Sequence, residues 1–83
     1  MSPRSFKPDS SLLSLGAVVK TLRAEAGLTQ DGLAARADIA SSYISHIERG
    51  DRNLTWAALG RLSRGLEVPR WVLVKRADDL GRG

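Results

Sequence analysis

Residues 27–50, GLTQDGLAARADIASSYISHIERG, decide the fold of this chain. Their apolar spacing predicts two short helices, residues 30–37 and residues 41–49, with the turn Asp38-Ile39-Ala40 between them. Thr29 stands directly before the first helix and suits its N-cap, because its hydroxyl can accept a hydrogen bond from a free backbone N–H. Aspartate tolerates a left-handed backbone better than most residues, so Asp38 suits a sharp turn. The segment therefore predicts two helices joined by a tight turn.

The second of these helices has two chemically different faces. Ile44, Ile47 and Glu48 point to one side of it. The opposite face carries polar residues at i, i+3, i+4 and i+7, which are Ser42, Ser45, His46 and Arg49. A narrow helix with short polar side chains can enter the major groove of B-DNA and reach base edges. This pattern is typical of a DNA recognition helix.

Three further helices are predicted around this segment. They span residues 11–26, residues 56–65 and residues 69–80, the last beginning at a proline that suits a first helical turn. Gly27 can end the first of them, and Thr55 can cap the second. No stretch shows the sustained alternation of polar and apolar residues that is typical of a half-buried strand. The predicted fold class is all-α, with five helices.

The domain organisation follows from length and composition. A chain of 83 residues allows one compact domain. Residues 1–10 contain two prolines and three serines, so we expect a flexible arm there. Residues 11–80 are predicted to form the folded domain, whose last helix also serves dimerisation. Residues 81–83, two glycines around an arginine, are expected to be a frayed tail.

The overall composition limits which binding partners and which cellular compartment we expect. The net charge of +4 favours an anionic partner such as nucleic acid. Cysteine is absent, which excludes disulfides and thiolate metal sites. No apolar run approaches the length of a membrane span or a signal peptide, and no helix combines a basic face with a wide apolar face. We expect a protein of the cytoplasm that binds no membrane.

Catalysis is not expected. The chain has one histidine, and its neighbour Ser45 cannot form a nucleophile–base pair with His46 on one helix face. The pair Asp78-Asp79 suits a solvated helix end better than an acid/base pair or a magnesium site. We therefore predict no enzyme, no cofactor, no metal and no small-molecule ligand.

A set of motifs spread over most of the chain carries a family resemblance. They are Leu28-Thr29-Gln30, Leu33-Ala34, Ala37, Ile39, Tyr43-Ile44-Ser45, Ile47-Glu48-Arg49-Gly50, Arg52-Asn53-Leu54-Thr55 and Gly65-Leu66-Glu67-Val68-Pro69. With them the chain resembles the lambda-repressor-like helix-turn-helix regulators, also called the Xre family, over roughly residues 12–75. Within that family, the stretches YISHIERGDRNLT and GLEV are most similar to controller proteins of restriction-modification systems. The resemblance implies a five-helix fold and sequence-specific binding of double-stranded DNA, by a bacterial regulator that is associated with the nucleoid.

The resemblance also implies roles for individual residues. The positions that match the base-reading face are Ser41, Ser42, Ser45 and His46. The positions that match contacts with the DNA backbone are Gln30, Tyr43, Arg49, Arg52 and Asn53. In relatives, the residues matching Arg23 and Glu48 form a largely buried ion pair between the first and third helices, so both are assigned to structure rather than to catalysis.

The chain departs from the controller proteins at the start of the recognition helix. These proteins often carry Asp-Arg-Thr where this chain has Ala40-Ser41-Ser42, and the arginine reads a base there. Direct guanine recognition by that residue is lost with Ser41, so we expect a different operator. Alanine is a poor N-cap, which makes Ser41 a candidate to cap the helix instead.

A homodimer is expected because one short recognition helix contacts few base pairs, and operators of this class are usually read by two-fold dimers. The apolar residues proposed for the dimer interface are Trp56, Val68, Trp71, Val72 and Val74. The alternative is that one tryptophan closes the core of the protomer.

The alternative function is that of an antitoxin, which would bind both DNA and a toxin protein. Such antitoxins usually carry an additional segment that wraps the toxin. The predicted arm and tail offer little chain for that purpose, so operator binding remains the leading hypothesis.

Overall fold

The computed structural model describes residues 10–82, and these contain five α-helices and no strand. The helices are α1 (Ser10–Glu25), α2 (Gln30–Ala37), α3 (Ser41–Arg49), α4 (Trp56–Leu66) and α5 (Arg70–Arg82). Every predicted helix is present, and α2 and α3 have the predicted bounds. The all-α class with five helices is therefore confirmed.

A single core joins the five helices. Each helix contributes one of the largest fully buried side chains, which are Val19, Leu33, Ile44, Leu62 and Leu73 in chain order. α1 packs against α3 and α5, while α2 packs against α3 and α4. α3 is thus held between α1 and α2, and only its outer face can meet a partner.

The closest approach of α1 to α3 occurs at a glycine. A Cβ atom on Gly16 would collide with the carbonyl oxygen of Ile47 and would lie 2.9 Å from that of Glu48. Both obstacles are backbone atoms, so neither can rotate away. Gly16 sets the distance at which α3 sits on α1.

Local capping explains why the turns fall where they do. The hydroxyls of Thr29 and Thr55 accept hydrogen bonds from the backbone N–H groups of Gly32 and Ala58, at 2.9 and 3.0 Å. Asp38 adopts the left-handed conformation with φ of 56°, as its position in the turn predicts. These caps fix both ends of α2 and the start of α4.

Two expectations about helix ends are wrong. Ser41 does not cap α3: Ala40 occupies the N-cap without any side-chain hydrogen bond, and Ser41 is the first helical residue. α5 also continues through Gly81 and Arg82, where a frayed tail was expected. The end of α5 lies beside the beginning of α1, near Ser14.

The rest of the expected arm and tail falls on residues that the structure does not describe. Residues 1–9 and residue 83 lie outside the described part of the chain, and Ser10 belongs to α1. None of the helices found between residues 10 and 82 has the length and hydropathy needed to span a bilayer.

Candidate nucleic-acid interface

The polar face of α3 lies at the protein surface. Ile44 and Ile47 are buried in the core, so the opposite side of the helix faces outward. Ser42 is exposed, while Ser41 and His46 are half-buried. The hydroxyls of Ser41 and Ser42 have no hydrogen-bond partner between residues 10 and 82. Free hydroxyls on an outward-facing helix can donate to or accept from a base edge.

Four side chains at the end of α3 form one hydrogen-bonded group, which we call the Asp51 cluster: Ser45, His46, Arg49 and Asp51. Arg49 donates from Nη1 to Ser45 Oγ at 2.7 Å and from Nε to Asp51 Oδ2 at 3.2 Å. The Nδ1 atom of His46 lies 2.9 Å from Asp51 Oδ1. Asp51, which the sequence pattern did not single out, thus contacts two of the predicted DNA-contacting residues, His46 and Arg49, and Arg49 in turn contacts the third, Ser45.

Asp51 reaches this position because the chain reverses at Gly50. Gly50 has a φ of 70°, and the backbone N–H of Asp51 then donates to the carbonyl oxygen of His46 at 3.3 Å. The hydrogen bond with His46, followed by that with Arg49, holds the pKa of the Asp51 carboxyl below its ordinary value, against a desolvation that acts in the opposite direction. The carboxylate is therefore ionised where the recognition helix ends.

The predicted structural pair lies between α1 and α3. Arg23 donates from Nε to Glu48 Oε2 at 2.6 Å and from Nη2 to Oε1 at 3.1 Å, in a bidentate pair. Nη1 of the same guanidinium donates to the carbonyl oxygen of Leu28 at 2.8 Å. The Glu48 side chain is only 4% exposed. The hydrogen bond to Glu48 raises the pKa of Arg23, although burial acts to lower it.

Gln30 extends this pair to α2. Its Nε2 atom donates to Glu48 Oε1 at 3.1 Å, so one carboxylate binds groups from α1 and α2 and itself belongs to α3. The amide nitrogen of glutamine carries two hydrogens, and the second remains available to a phosphate. Glu48 therefore sets the relative positions of the two helices of the helix-turn-helix.

The loop after α3 carries the remaining predicted backbone contacts. The hydroxyl of Tyr43 donates to the carbonyl oxygen of Asn53 at 3.1 Å, which ties the loop to the recognition helix. Tyr43 cannot also donate its single hydrogen to a phosphate while this bond is present. Arg52 and the side chain of Asn53 are exposed, and Arg52 has no partner in the described part of the chain.

The candidate dimer surface combines the beginnings of α4 and α5. Trp56 and Trp71 are 66% and 65% exposed, and Val74 is exposed beside Trp71 on α5. The guanidinium carbon of Arg70 lies 4.5 Å from the centre of the Trp56 ring, and its Nε donates to the Trp56 carbonyl oxygen at 3.3 Å. Neither tryptophan closes the core of the protomer, so that alternative is wrong.

The two other residues expected at this surface are less available. Val72 is half-buried, and Val68 packs against the core of its own protomer.

No group of three or more histidine, aspartate or glutamate side chains within residues 10–82 is arranged as a metal site.

The chain is similar to helix-turn-helix proteins over most of its length. Residues 14–78 match the family described as a helix-turn-helix domain. An uncharacterized HTH-type transcriptional regulator of Sinorhizobium fredii is 38% identical over 65 residues, which are 78% of this chain and 84% of that protein.

Solved structures of restriction-modification controller proteins have the same fold. The C.Esp1396I tetramer in complex with its natural 35 base-pair operator superimposes with a TM-score of 0.80 at 35% identity, over 96% of this chain and 100% of that chain. C.AhdI from Aeromonas hydrophila superimposes with a TM-score of 0.77 at 29% identity, over 78% of this chain and 98% of that chain.

Proposed function

This chain belongs to the helix-turn-helix family of DNA-binding transcriptional regulators, and we propose that it binds a two-fold symmetric operator as a homodimer. In this proposal α3 of each protomer enters the major groove at one half-site. The observation that carries it is the division of α3 into a buried isoleucine face and an outward polar face with free hydroxyls. Regulation then follows from occupancy of DNA and needs no chemical step. We further propose that the protein acts on DNA in the bacterial cytoplasm.

The residues of the interface divide into two groups by what they can reach. We propose that base edges are read by the outer residues of α3, which are Ser41, Ser42, Ser45 and His46. We propose that the phosphates are held by Gln30 through its second amide hydrogen and by Arg49, Arg52 and Asn53. For Tyr43 we propose an indirect role at the DNA backbone, because its hydroxyl donates to the carbonyl oxygen of Asn53 and holds that loop in place. It then acts on the phosphates through that loop.

The likeness to controller proteins supports a finer proposal. Those neighbours cover 96% and 78% of this chain, and the first of them is a tetramer in complex with its operator. We propose that this protein is a controller-type regulator. Because Ser41 replaces the arginine common in controller proteins, we expect a different operator sequence.

Selection of bound duplexes from a random pool tests the proposed function. We expect enrichment of an inverted repeat with half-sites about one helical turn apart. Enrichment of a single asymmetric site would contradict the dimer, and a pool that stays random at low salt would contradict DNA reading altogether.

Replacing Arg52 with alanine should weaken binding to all duplexes alike. Each phosphate that a cation neutralises releases counterions, so loss of this side chain should reduce the slope of log affinity against log salt by about one per protomer. Titrations of the selected duplex at several salt concentrations measure this slope. Arg76→Ala is the matched control, since Arg76 is exposed on α5. An equal change of slope in both variants would contradict the assignment of Arg52.

Replacing Trp71 with alanine should dissociate the dimer. An exposed tryptophan at the centre of an interface typically contributes about 2 kcal/mol or more to binding, which corresponds to a dissociation constant at least about thirtyfold higher. Because Trp71 is 65% exposed, its loss should leave the fold intact. Sedimentation velocity over a concentration series measures the effect. Leu80→Ala removes another exposed apolar side chain, at the far end of α5, and should leave the dimer unchanged. A dimer that is weakened by Leu80→Ala and not by Trp71→Ala would show that the interface lies elsewhere.

A further inference from the structure

The imidazole of His46 meets two groups at a single ring nitrogen. Nδ1 lies 2.9 Å from Asp51 Oδ1 and 3.0 Å from Arg49 Nη2. To bind the Asp51 carboxylate, Nδ1 must carry a proton and donate a hydrogen bond. To bind the Arg49 guanidinium, Nδ1 must carry no proton and accept a hydrogen bond. One ring nitrogen cannot do both, so one contact determines the tautomer.

The contact with Asp51 is the stronger of the two. A bare Nδ1 would direct its lone pair at an ionised carboxylate oxygen, and Oδ1 has no other donor between residues 10 and 82. A protonated Nδ1 instead makes a charge-assisted hydrogen bond. Arg49 keeps its bonds to Ser45 Oγ and Asp51 Oδ2 in either case. When the imidazole carries a single proton, Asp51 therefore holds that proton on Nδ1.

This tautomer leaves the other ring nitrogen as an acceptor. Nε2 of His46 has no hydrogen-bond partner in the described residues, and it is not enclosed, because no buried side-chain nitrogen lacks a partner there. The His46 side chain is 31% exposed on the proposed reading face. In the major groove, adenine N6 and cytosine N4 present amino groups that can donate to an acceptor, whereas guanine presents acceptors at N7 and O6.

We propose that Asp51 is a specificity-determining positioning residue, which makes His46 a hydrogen-bond acceptor that selects an adenine or a cytosine in each half-site. A histidine at a reading position is usually a guanine or phosphate donor, and Asp51 reverses that preference. The inference rests on the proposed function, because it assigns one residue of α3 its base. This role also explains why a carboxylate lies on a surface proposed to face DNA, although its charge repels phosphates.

The tautomer can be measured without DNA. His46 is the single histidine of the chain, so a long-range ¹H–¹⁵N spectrum of the imidazole has one unambiguous set of signals. We expect the proton on Nδ1 in the wild-type protein, and a shift toward Nε2–H in Asp51→Ala. A wild-type imidazole that carries its proton on Nε2, or protons on both nitrogens, at the pH of the binding experiments would overturn the inference whatever the protein does with DNA.

Duplex selection with the same variants tests the specificity. His46→Ala should lose the preference at one base pair per half-site, which identifies the position. Asp51→Ala should change the same position, with the preference for adenine or cytosine reduced about fivefold, the equivalent of one hydrogen bond. In the His46→Ala background, Asp51→Ala should have no further effect there.

A matched variant separates this effect from charge. Asp31→Ala also removes an exposed carboxylate, at the beginning of α2, and should strengthen binding to all duplexes without changing that base. An unchanged base preference in Asp51→Ala, with the tautomer shifted, would overturn the specificity role. If the wild-type protein has its proton on Nδ1 but selects no duplex, the proposed function fails first and the inference with it.

Discussion

Replacing Glu48 with alanine should lower the free energy of unfolding by about 3–5 kcal/mol, because it leaves a buried cation without its partner. The Arg23 side chain is 14% exposed and makes two of its three hydrogen bonds to this carboxylate. Gln30 loses its acceptor in the same variant. A small domain has little stability to lose, so we expect much of the Glu48→Ala protein to be unfolded at room temperature.

Urea denaturation followed by circular dichroism measures this loss. Asp79→Ala is the matched control, since it also removes one carboxylate from an ion pair, with Lys75 at 3.0 Å. Both members of that pair are exposed, and we expect a change below about 0.5 kcal/mol. Equal losses in the two variants would mean that Glu48 does not hold α1, α2 and α3 together.

Replacing Gly16 with alanine should be the second most damaging change. Elsewhere in a helix this substitution stabilises, because alanine is the better helix former. Here the added methyl group would meet the carbonyl oxygens of Ile47 and Glu48, so α1 and α3 must separate. Overpacking of this kind costs about 1–3 kcal/mol, and we expect the upper end because both obstacles are backbone atoms.

Thermal unfolding measures the effect of Gly16→Ala as a lower Tm. Gly81→Ala provides the comparison, since a methyl group there would lie 3.4 Å from the Ser14 hydroxyl, an ordinary contact. It should be neutral or raise the stability by up to about 1 kcal/mol. A Gly16→Ala protein as stable as the wild type would show that the helices are not held at this distance.

The parts of the fold that were predictable from sequence are those set by neighbouring residues. The bounds of α2 and α3 follow from the cap at Thr29, the turn at Asp38 and the glycine after Arg49, all of which act within a few residues. The end of α5 was not predictable in this way, because Gly81 continues the helix although glycine commonly ends one, and α5 lies against α1, which is far away in sequence. The need for a glycine at position 16 has the same origin.

The candidate site likewise contains residues that the sequence pattern predicts and one residue that it does not. The outward position of Ser42 follows from helical spacing alone, and the pairing of Arg23 with Glu48 came from the family resemblance. The role of Asp51 was not predicted because this residue lies beyond the end of α3, where the helical period of 3.6 residues no longer says which residues share a face. Its carboxylate reaches His46 only because Gly50 turns the chain back. An acidic residue directly after a helix-ending glycine is the signal that could have indicated it.

Backbone amide shifts on addition of the selected duplex show whether DNA contacts the outer face of α3. A ¹⁵N-labelled protein should show its largest shifts at Gln30 and through residues 41–53, with the middle of α1 and the end of α5 little changed. Large shifts confined to α4 and α5, with residues 41–49 unmoved at low salt, would mean that DNA binds to another surface of the protein.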